Sequence, residues 1–281
     1  MLIGAAVCPH PPILVPAVTG GRPAGPVEPG GAKELDRLRA ACDQAVAGLL
    51  GVRPDVLVIA GGATRSGEYP LTSAGCLSQF GVWSDTPEEA TRAALGGPEA
   101  ASVLPLSLTV GRWLVSRAAS VPVPADVRLH SVSGTAPAGE CLAAGARIAA
   151  LAPRVALLVM GDGPARRAGG VPGAPDPEAD GYDVAVADAF AAADARALAA
   201  LDPGQSVRLL ASGRASWQVL AGAAAGAGSA EGAGGAKDAG GAEGTGGAAA
   251  GAADGRFWGQ VLYMGTPFEV SYLVAVWHRE S

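Results

Sequence analysis

The sequence predicts an α/β fold in which a largely parallel or mixed sheet is sandwiched between two layers of helices. Apolar runs of strand length occur at residues 2–8, 56–59 and 155–160, and each ends in a loop rich in proline or glycine. Segments with the apolar spacing of helices separate these runs. Strands that alternate with helices are typical of a three-layer α/β/α sandwich.

The first elements follow from the same patterns in chain order. The run at residues 2–8 predicts a buried strand that stops at a proline cluster. A helix is expected over residues 34–50, where apolar side chains recur at three- and four-residue steps. These side chains are Leu35, Leu38, Cys42, Val46 and Leu49. Branched residues at 56–59 predict a doubly buried strand, and the glycine pair that follows predicts a loop over residues 60–67.

The second half of the chain repeats this order of elements. Residues 106–116 and 127–132 are interpreted as further strands or short helices. A helix is expected over residues 141–151, before the third strand and its glycine loop, and an alanine-rich helix over residues 182–201. The closing segment is predicted to be a hairpin, because two β-rich runs flank Gly-Thr-Pro at residues 265–267.

Composition and charge narrow the classes of partner. The 281 residues include 26 acidic and 20 basic side chains, which gives a formal net charge of −6. No cluster of Lys and Arg offers the basic patch expected for nucleic acid or an anionic bilayer, so neither is an expected partner. Every apolar run is interrupted before the roughly 18 residues of a membrane span, and no signal peptide is predicted. Four cysteines without a CxxC pair indicate reduced thiols and a cytoplasmic protein.

One segment differs from the rest of the chain in composition. Residues 221–255 are almost entirely glycine and alanine and contain no large apolar side chain. Burial of such a segment does not offset the entropy lost on ordering it. It is therefore interpreted as a disordered insertion that interrupts a single domain over residues 1–281.

Three loops at the predicted strand ends carry the side chains that are the best candidates for ligand binding or catalysis. Ligands of open α/β sheets bind where loops converge at the carboxyl ends of the strands. The first loop carries His10 among prolines, and the third carries Asp162. Glycine lets a backbone approach a ligand closely, and arginine offers a planar fork to carboxylate or phosphate. The second and third loops thus form a predicted anion site made of Gly61, Gly62, Arg65, Gly161, Gly163 and Arg166, with Arg167 beside it.

The opening segment AAVCPHPPILVP resembles the N-terminal signature of class III extradiol ring-cleavage dioxygenases of the B-subunit type, whose fold is shared by the Memo proteins. The likeness continues through residues 55–67, 157–163 and 272–277, and it covers most of the chain apart from residues 221–255. It implies Fe(II)-dependent insertion of O2 into a catechol-type aromatic ring, with iron held by two His and one carboxylate. It also implies that His10 is an iron ligand, and that a homodimer is a possible assembly.

Three other positions of the family pattern carry different residues here. The second His ligand is replaced by Ala-Gly-Gly at residues 60–62, and the acid/base His is absent near residues 165–166. Residues 213–218 read GRASWQ where the family has its carboxylate ligand. Of the remaining histidines, His130 is interpreted as a structural strand residue and His278 as solvated.

Two hypotheses remain open on this sequence. In the first, a dioxygenase-like enzyme holds its metal through His10 and a rearranged ligand set that includes Asp162, and it acts on a catechol-like aromatic. In the second, a non-catalytic relative binds an anionic small molecule, or an acidic group of a partner, in the former active-site pocket through Arg65 and Arg166. An Asp within a Gly-Asp-Gly turn also has a purely structural role, which is to cap its own loop through hydrogen bonds to the backbone.

Overall fold

The computed structural model describes residues 1–19, 29–82, 94–95, 102–118, 121–167, 175–229 and 257–280. Within these ranges the strands are β1 (Leu2–Cys8), β2 (Val56–Ala63), β3 (Gly67–Tyr69), β4 (Asp126–Ser133), β5 (Val155–Met160), β6 (Phe257–Gly265) and β7 (Tyr272–Arg279). They form one sheet in the order β3-β4-β2-β5-β1-β7-β6. β4, β2, β5 and β1 are parallel, whereas β3, β7 and β6 each run antiparallel to a neighbour. The predicted mixed α/β sheet is confirmed.

Helices cover both faces of this sheet. The described α-helices are α1 (Pro29–Gly51), α2 (Leu106–Arg117), α3 (Ala138–Ala149), α4 (Ala179–Ala191), α5 (Ala195–Ala199), α6 (Pro203–Leu209) and α7 (Arg214–Ser229). α1 and α2 pack on one face, and α3 to α7 pack on the other. None of the described helices is long and apolar enough to cross a membrane.

Each face of the sheet has its own hydrophobic core, because side chains alternate along the strands. In β5, Val155, Leu157 and Val159 face the core under α3 to α7, while the residues between them face the core under α1 and α2. Trp217 and Trp277 are the largest side chains of the first core, and Trp113 fills the second. All six residues of β5 are buried, as the apolar run predicts for a central parallel strand.

The glycine pair after residue 60 does not form a loop, which corrects the expectation for residues 60–67. β2 continues to Ala63, and Gly61 and Gly62 pair with Ser131 and Val132 of β4. A Cβ on Gly61 would lie 2.5 Å from Ser107 Oγ of α2. Glycine is needed here because a helix crosses close above the strand.

One open alternative is resolved as helix, and one helical expectation changes. Residues 106–116, for which the sequence allows strand or helix, lie in α2. The single helix expected over residues 182–201 is two helices, since the chain turns at Ala193 with a φ of 50°. Asp194 then caps α5 by accepting hydrogen bonds from the backbone N–H groups of Arg196 and Ala197. Alanine-rich composition predicts helix well, but it does not reveal such a break.

The start of the glycine-alanine segment is ordered, which corrects the disorder expected from residue 221 onward. Residues 221–229 complete α7, and Ala221 and Ala223 are buried. A Cβ on Gly222 would lie 2.1 Å from the carbonyl oxygen of Leu142, and one on Gly145 would lie 1.9 Å from that of Val219. Small residues therefore let α7 pack against α3 at backbone contact. Residues 230–255 of the predicted insertion lie outside the described residues.

Candidate functional site

The sheet register brings the first and third predicted loops together. Cys8 of β1 lies beside Met160 of β5, so two residues further on His10 lies level with Asp162. The backbone N–H of His10 donates a hydrogen bond to Asp162 Oδ1 at 2.7 Å. The parallel pairing of β1 and β5 thus positions the two residues singled out as candidate metal ligands.

The imidazole of His10 is held in a buried position with one nitrogen unsatisfied. His10 is only 8% exposed, and its Nδ1 makes no hydrogen bond within the described structure. Asp162 Oδ1 lies 3.5 Å from this nitrogen and is already bonded to the backbone of the same residue. A buried polar atom without a partner is uncommon in native proteins and points to a water or ligand that completes it.

β7 adds a phenol to the same end of the sheet. The antiparallel pairing of β1 and β7 ends with Val7 beside Ala275, so Tyr272, the first residue of β7, lies toward the same end of the sheet as the loop of His10. Burial raises the pKa of Tyr272, and the negative charge of Asp162 raises it further. Tyr272 is therefore a neutral hydrogen-bond donor at pH 7. We refer to His10, Asp162 and Tyr272 as the strand-end site.

Asp162 is also fixed through its backbone. Its carbonyl oxygen accepts a hydrogen bond from the N–H of Gly213, directly before α7 begins. A Cβ on Gly161 would lie 2.5 Å from the Cα of Gly213, so the loop and the start of the helix touch. The positive end of the α7 dipole consequently lies beside the strand-end site, where it favours negative charge.

The glycines of the predicted anion site are largely engaged by other groups. Gly161 donates its N–H to the carbonyl oxygen of Cys8, and Gly163 donates to that of Ser271, at 3.0 and 2.9 Å. Gly61 and Gly62 lie within β2, and the carbonyl of Gly62 accepts a hydrogen bond from Ser107 Oγ. Their lack of side chains serves close packing, so recognition of an anion at this end of the sheet depends on side-chain donors.

The arginines of these loops have different surroundings. Arg65 is exposed, and its carbonyl oxygen accepts a hydrogen bond from Ser131 Oγ at 2.8 Å. Arg166 is half-buried, and its Nε is buried without a hydrogen-bond partner in the described residues. No described hydrogen bond or ion pair joins Arg65 to Arg166. They occupy separate ends of the predicted anion site, since Arg65 lies beside the end of β4 and Arg166 follows β5.

Arg167 has a structural role. Its guanidinium pairs with Asp180 and with Asp183, each at 2.6 Å. Burial raises the pKa of Asp183, whereas Ser271 and Arg167 hydrogen-bond to its carboxylate and act in the opposite direction. These contacts of Arg167 tie the loop after β5 to α4 and to the start of β7, so its guanidinium is already satisfied within the fold.

The donor set at the strand-end site does not fit the iron centre implied by the extradiol resemblance. That centre needs two His and one carboxylate on one face of the metal. His10 and Asp162 supply one of each, but the described residues contain no group of three His, Cys, Asp or Glu side chains placed to hold a metal ion. Gln218, in the segment that carries the family carboxylate, instead bonds Arg214 and the carbonyl oxygens of Ala199 and Leu201.

Arg214 is a buried cation that the sequence patterns do not single out. It is 1% exposed, and its guanidinium donates to the carbonyl oxygens of Gly134 and Ala136 and to Gln218 Oε1. Within the described structure no carboxylate lies within salt-bridge distance of it. The i,i+4 spacing of Arg214 and Gln218 in GRASWQ is the one sequence signal for this pair.

Comparisons with known proteins yield little for this chain. No protein-family model matches it, and no curated protein matches it. One similar solved structure is that of the uncharacterized protein JW3007 from Escherichia coli K12. It has 12% sequence identity and a TM-score of 0.47, and the alignment covers 98% of this chain and 99% of that chain. A likeness of this degree carries no argument about function.

Proposed function

We propose that the protein is a non-catalytic relative of the class III extradiol dioxygenases and binds a small anionic molecule at the strand-end site. The observation that carries the proposal is the buried, unpartnered Nδ1 of His10. A ligand oxygen that accepts a hydrogen bond from this nitrogen would satisfy it.

The strand-end site and the loop that carries Asp162 contain further hydrogen-bond donors. Tyr272 offers a neutral phenol, because burial and the charge of Asp162 raise its pKa. Arg166 follows Asp162 on the same loop and has an unsatisfied Nε–H. Oδ1 of Asp162 already accepts the backbone N–H of His10. A ligand with acceptor oxygens, such as an aromatic carboxylate, can accept hydrogen bonds from these donors.

The start of α7 adds a favourable field for an anion. The helix begins at Arg214, and the residue before it bonds the Asp162 carbonyl. The partial positive charge of a helix N-terminus favours negative groups by roughly 0.3–1 kcal/mol at an exposed site. This contribution is modest, so it supports the side-chain donors and does not replace them.

Ring cleavage remains the second candidate because His10 and Asp162 lie together as a metal-binding pair would. His10 Nδ1 lies 3.5 Å from Asp162 Oδ1. The resemblance implies Fe(II) and a catechol-type substrate, but a third protein ligand is missing from the described donor set. We therefore place binding ahead of catalysis and design the test to separate them.

The test is calorimetric titration with benzoate, phthalate and 3,4-dihydroxybenzoate. We expect saturable binding of at least one of these anions to the wild type, and a Kd at least about tenfold weaker in His10→Gln, since a hydrogen bond to a charged group is lost. His278→Gln is the matched control on the opposite end of β7 and should leave the Kd unchanged. Absence of saturable binding, or equal binding by His10→Gln, contradicts the proposal.

A parallel titration with Fe(II) under anaerobic conditions tests the second candidate. We expect no stoichiometric Fe(II) binding that depends on His10. If one Fe(II) binds per chain, is lost in His10→Gln, and supports oxygen uptake with 3,4-dihydroxybenzoate, ring cleavage replaces the binding proposal.

A further inference from the structure

A concave site lies at the edge of the sheet, apart from the strand-end site. Its volume is about 320 Å³, which is within the range of small-molecule pockets. It opens between α3 and the β3–β4 edge of the sheet. We call it the lateral cleft; its lining residues are Ser66, Gly67, His130, Val132, Ala136, Glu140, Ala143, Ala144 and Arg147.

The walls of the lateral cleft are fixed by hydrogen bonds. Ser66 Oγ accepts the backbone N–H of Ser133 at 2.9 Å, which ties the β2–β3 turn to β4. Behind the cleft, Arg214 donates to the carbonyl oxygen of Ala136 at 2.7 Å. α3 is seated against α7 at backbone contact through Gly145. The cleft is therefore a preformed feature of the fold.

Two side chains of opposite charge lie at the rim of the lateral cleft. Glu140 and Arg147 are seven residues apart on α3, which separates them by two turns, or about 10 Å along the helix. Both side chains are exposed, and within the described structure neither forms a hydrogen bond or ion pair with another side chain. Many other arginines of the fold are paired with carboxylates, including Arg117, Arg128, Arg167 and Arg208.

Between the charges lies a half-buried imidazole over an apolar floor. Burial lowers the pKa of His130; Glu68, opposite it on β3, acts to raise the pKa, and Arg147 acts to lower it. His130 is therefore neutral at pH 7 and can both donate and accept a hydrogen bond. Val132, Ala136 and Ala144 are buried and supply the floor.

We propose that the lateral cleft binds a small zwitterion of the dipeptide type. Arg147 holds the carboxylate, Glu140 holds the ammonium group, and the apolar part lies on the alanine and valine floor. His130 hydrogen-bonds the polar atoms between the two charged ends.

The charge distribution argues against simpler ligands. A purely anionic ligand would be repelled by Glu140 and by Glu68 on the neighbouring strand. A purely cationic ligand would meet Arg147 at the rim and the buried guanidinium of Arg214 behind Ala136. A molecule with both charges satisfies each rim group, and a planar guanidinium is suited to a carboxylate.

The experiment uses glycyl-L-leucine and L-alanyl-L-leucine as probes, measured by calorimetric titration of the full chain. N-acetylglycyl-L-leucine lacks the ammonium group, and glycyl-L-leucinamide lacks the carboxylate. We expect at least one zwitterion to bind saturably, with each single-charge analogue at least about tenfold weaker. Arg147→Gln should weaken the zwitterion to a similar degree without weakening glycyl-L-leucinamide, and Glu140→Gln should weaken the zwitterion without weakening N-acetylglycyl-L-leucine.

Arg37→Gln is the control for charge removal, because Arg37 lies on α1 on the other side of the sheet. It should not change the Kd of either zwitterion. The proposal is overturned if neither zwitterion binds saturably, if the analogues bind as well as the zwitterions, or if Arg147→Gln and Glu140→Gln bind like the wild type. The strand-end variant His10→Gln should leave this binding intact, so the two sites can fail independently.

Discussion

The strand-end site and the lateral cleft are built in different ways. The first is assembled from the loops after β1 and β5 and the first residue of β7, and its carboxylate is already bonded to the histidine backbone. The second has two unpaired charges presented by one helix over a preformed apolar floor. At the strand-end site, a buried nitrogen without a hydrogen-bond partner indicates a ligand. At the lateral cleft, the indication is a pair of rim charges that no other side chain pairs with. A candidate binding surface can thus lie outside the loops in which the candidate metal ligands were predicted.

The largest effect is expected at the scaffold of the lateral cleft. In Gly145→Val the new Cβ alone would lie 1.9 Å from the carbonyl oxygen of Val219, so α3 must move away from α7. We expect the free energy of unfolding to fall by at least about 3 kcal/mol in urea titrations. Gly48→Ala on α1, where a Cβ meets nothing within 4 Å, is the control and should be neutral or stabilising by about 0.5–1 kcal/mol. Equal stability of Gly145→Val and the wild type would show that the helices do not touch as described.

A smaller effect is expected at the strand-end site. Asp162→Ala removes the acceptor of the buried His10 N–H, which should lower the free energy of unfolding by about 1–2 kcal/mol. Asp162→Asn keeps an amide oxygen at the same place and should lose less than half of that amount. Urea titration of the three proteins measures the difference, and an equal loss in both variants would show that the hydrogen bond is not the cause.

The smallest effect concerns the pH dependence of stability at the cleft. Because the pKa of His130 is lowered in the folded protein, the unfolded chain takes up this proton at a higher pH. The associated stability is present above the ordinary pKa of 6.5 and is lost as the pH falls through the lowered value. The melting temperature of the wild type should fall more between pH 7.5 and 5.5 than that of His130→Gln.

His278 provides a comparison within the same measurement. Burial lowers its pKa as well, but it lies on β7, stacked against Trp258 and remote from the cleft. Addition of a zwitterion that binds the cleft should alter the pH dependence of His278→Gln, which retains His130, and not that of His130→Gln. The same response in both variants would argue against occupation of the cleft.

Much of the fold is predictable from local pattern, and much of the site is not. The central strands are predicted correctly because burial on both faces requires uninterrupted apolar residues, as in β5. The loop predicted for the glycines of β2 is wrong. Glycine is required there because α2, which lies more than forty residues later in the chain, crosses close to the strand. The prediction of disorder at the start of the glycine-alanine segment is wrong for the same reason. Gly222 must lack a side chain because it packs against the backbone of Leu142 on α3.

The candidate residues show the same division. His10 and Asp162 are identifiable because each follows an apolar strand, and parallel register places such positions level with one another. The lateral cleft is not identifiable because its charges lie on α3 and its imidazole on β4, and no local pattern links the two elements. Sequence alone therefore gives His130 a structural role on its own strand, although it lines this cleft.

The central position of β1 has a consequence for the order in which the sheet is assembled. β1 precedes the other described strands along the chain, yet its two neighbours are β5 and β7, which follow about 150 and 270 residues later. Contacts so distant along the chain carry a large loop-closure entropy and form slowly. During synthesis, β1 must wait without either neighbour while β2, β3 and β4 can already pair. The strand-end site is therefore completed only when β7 emerges from the ribosome, which makes it a late product of folding.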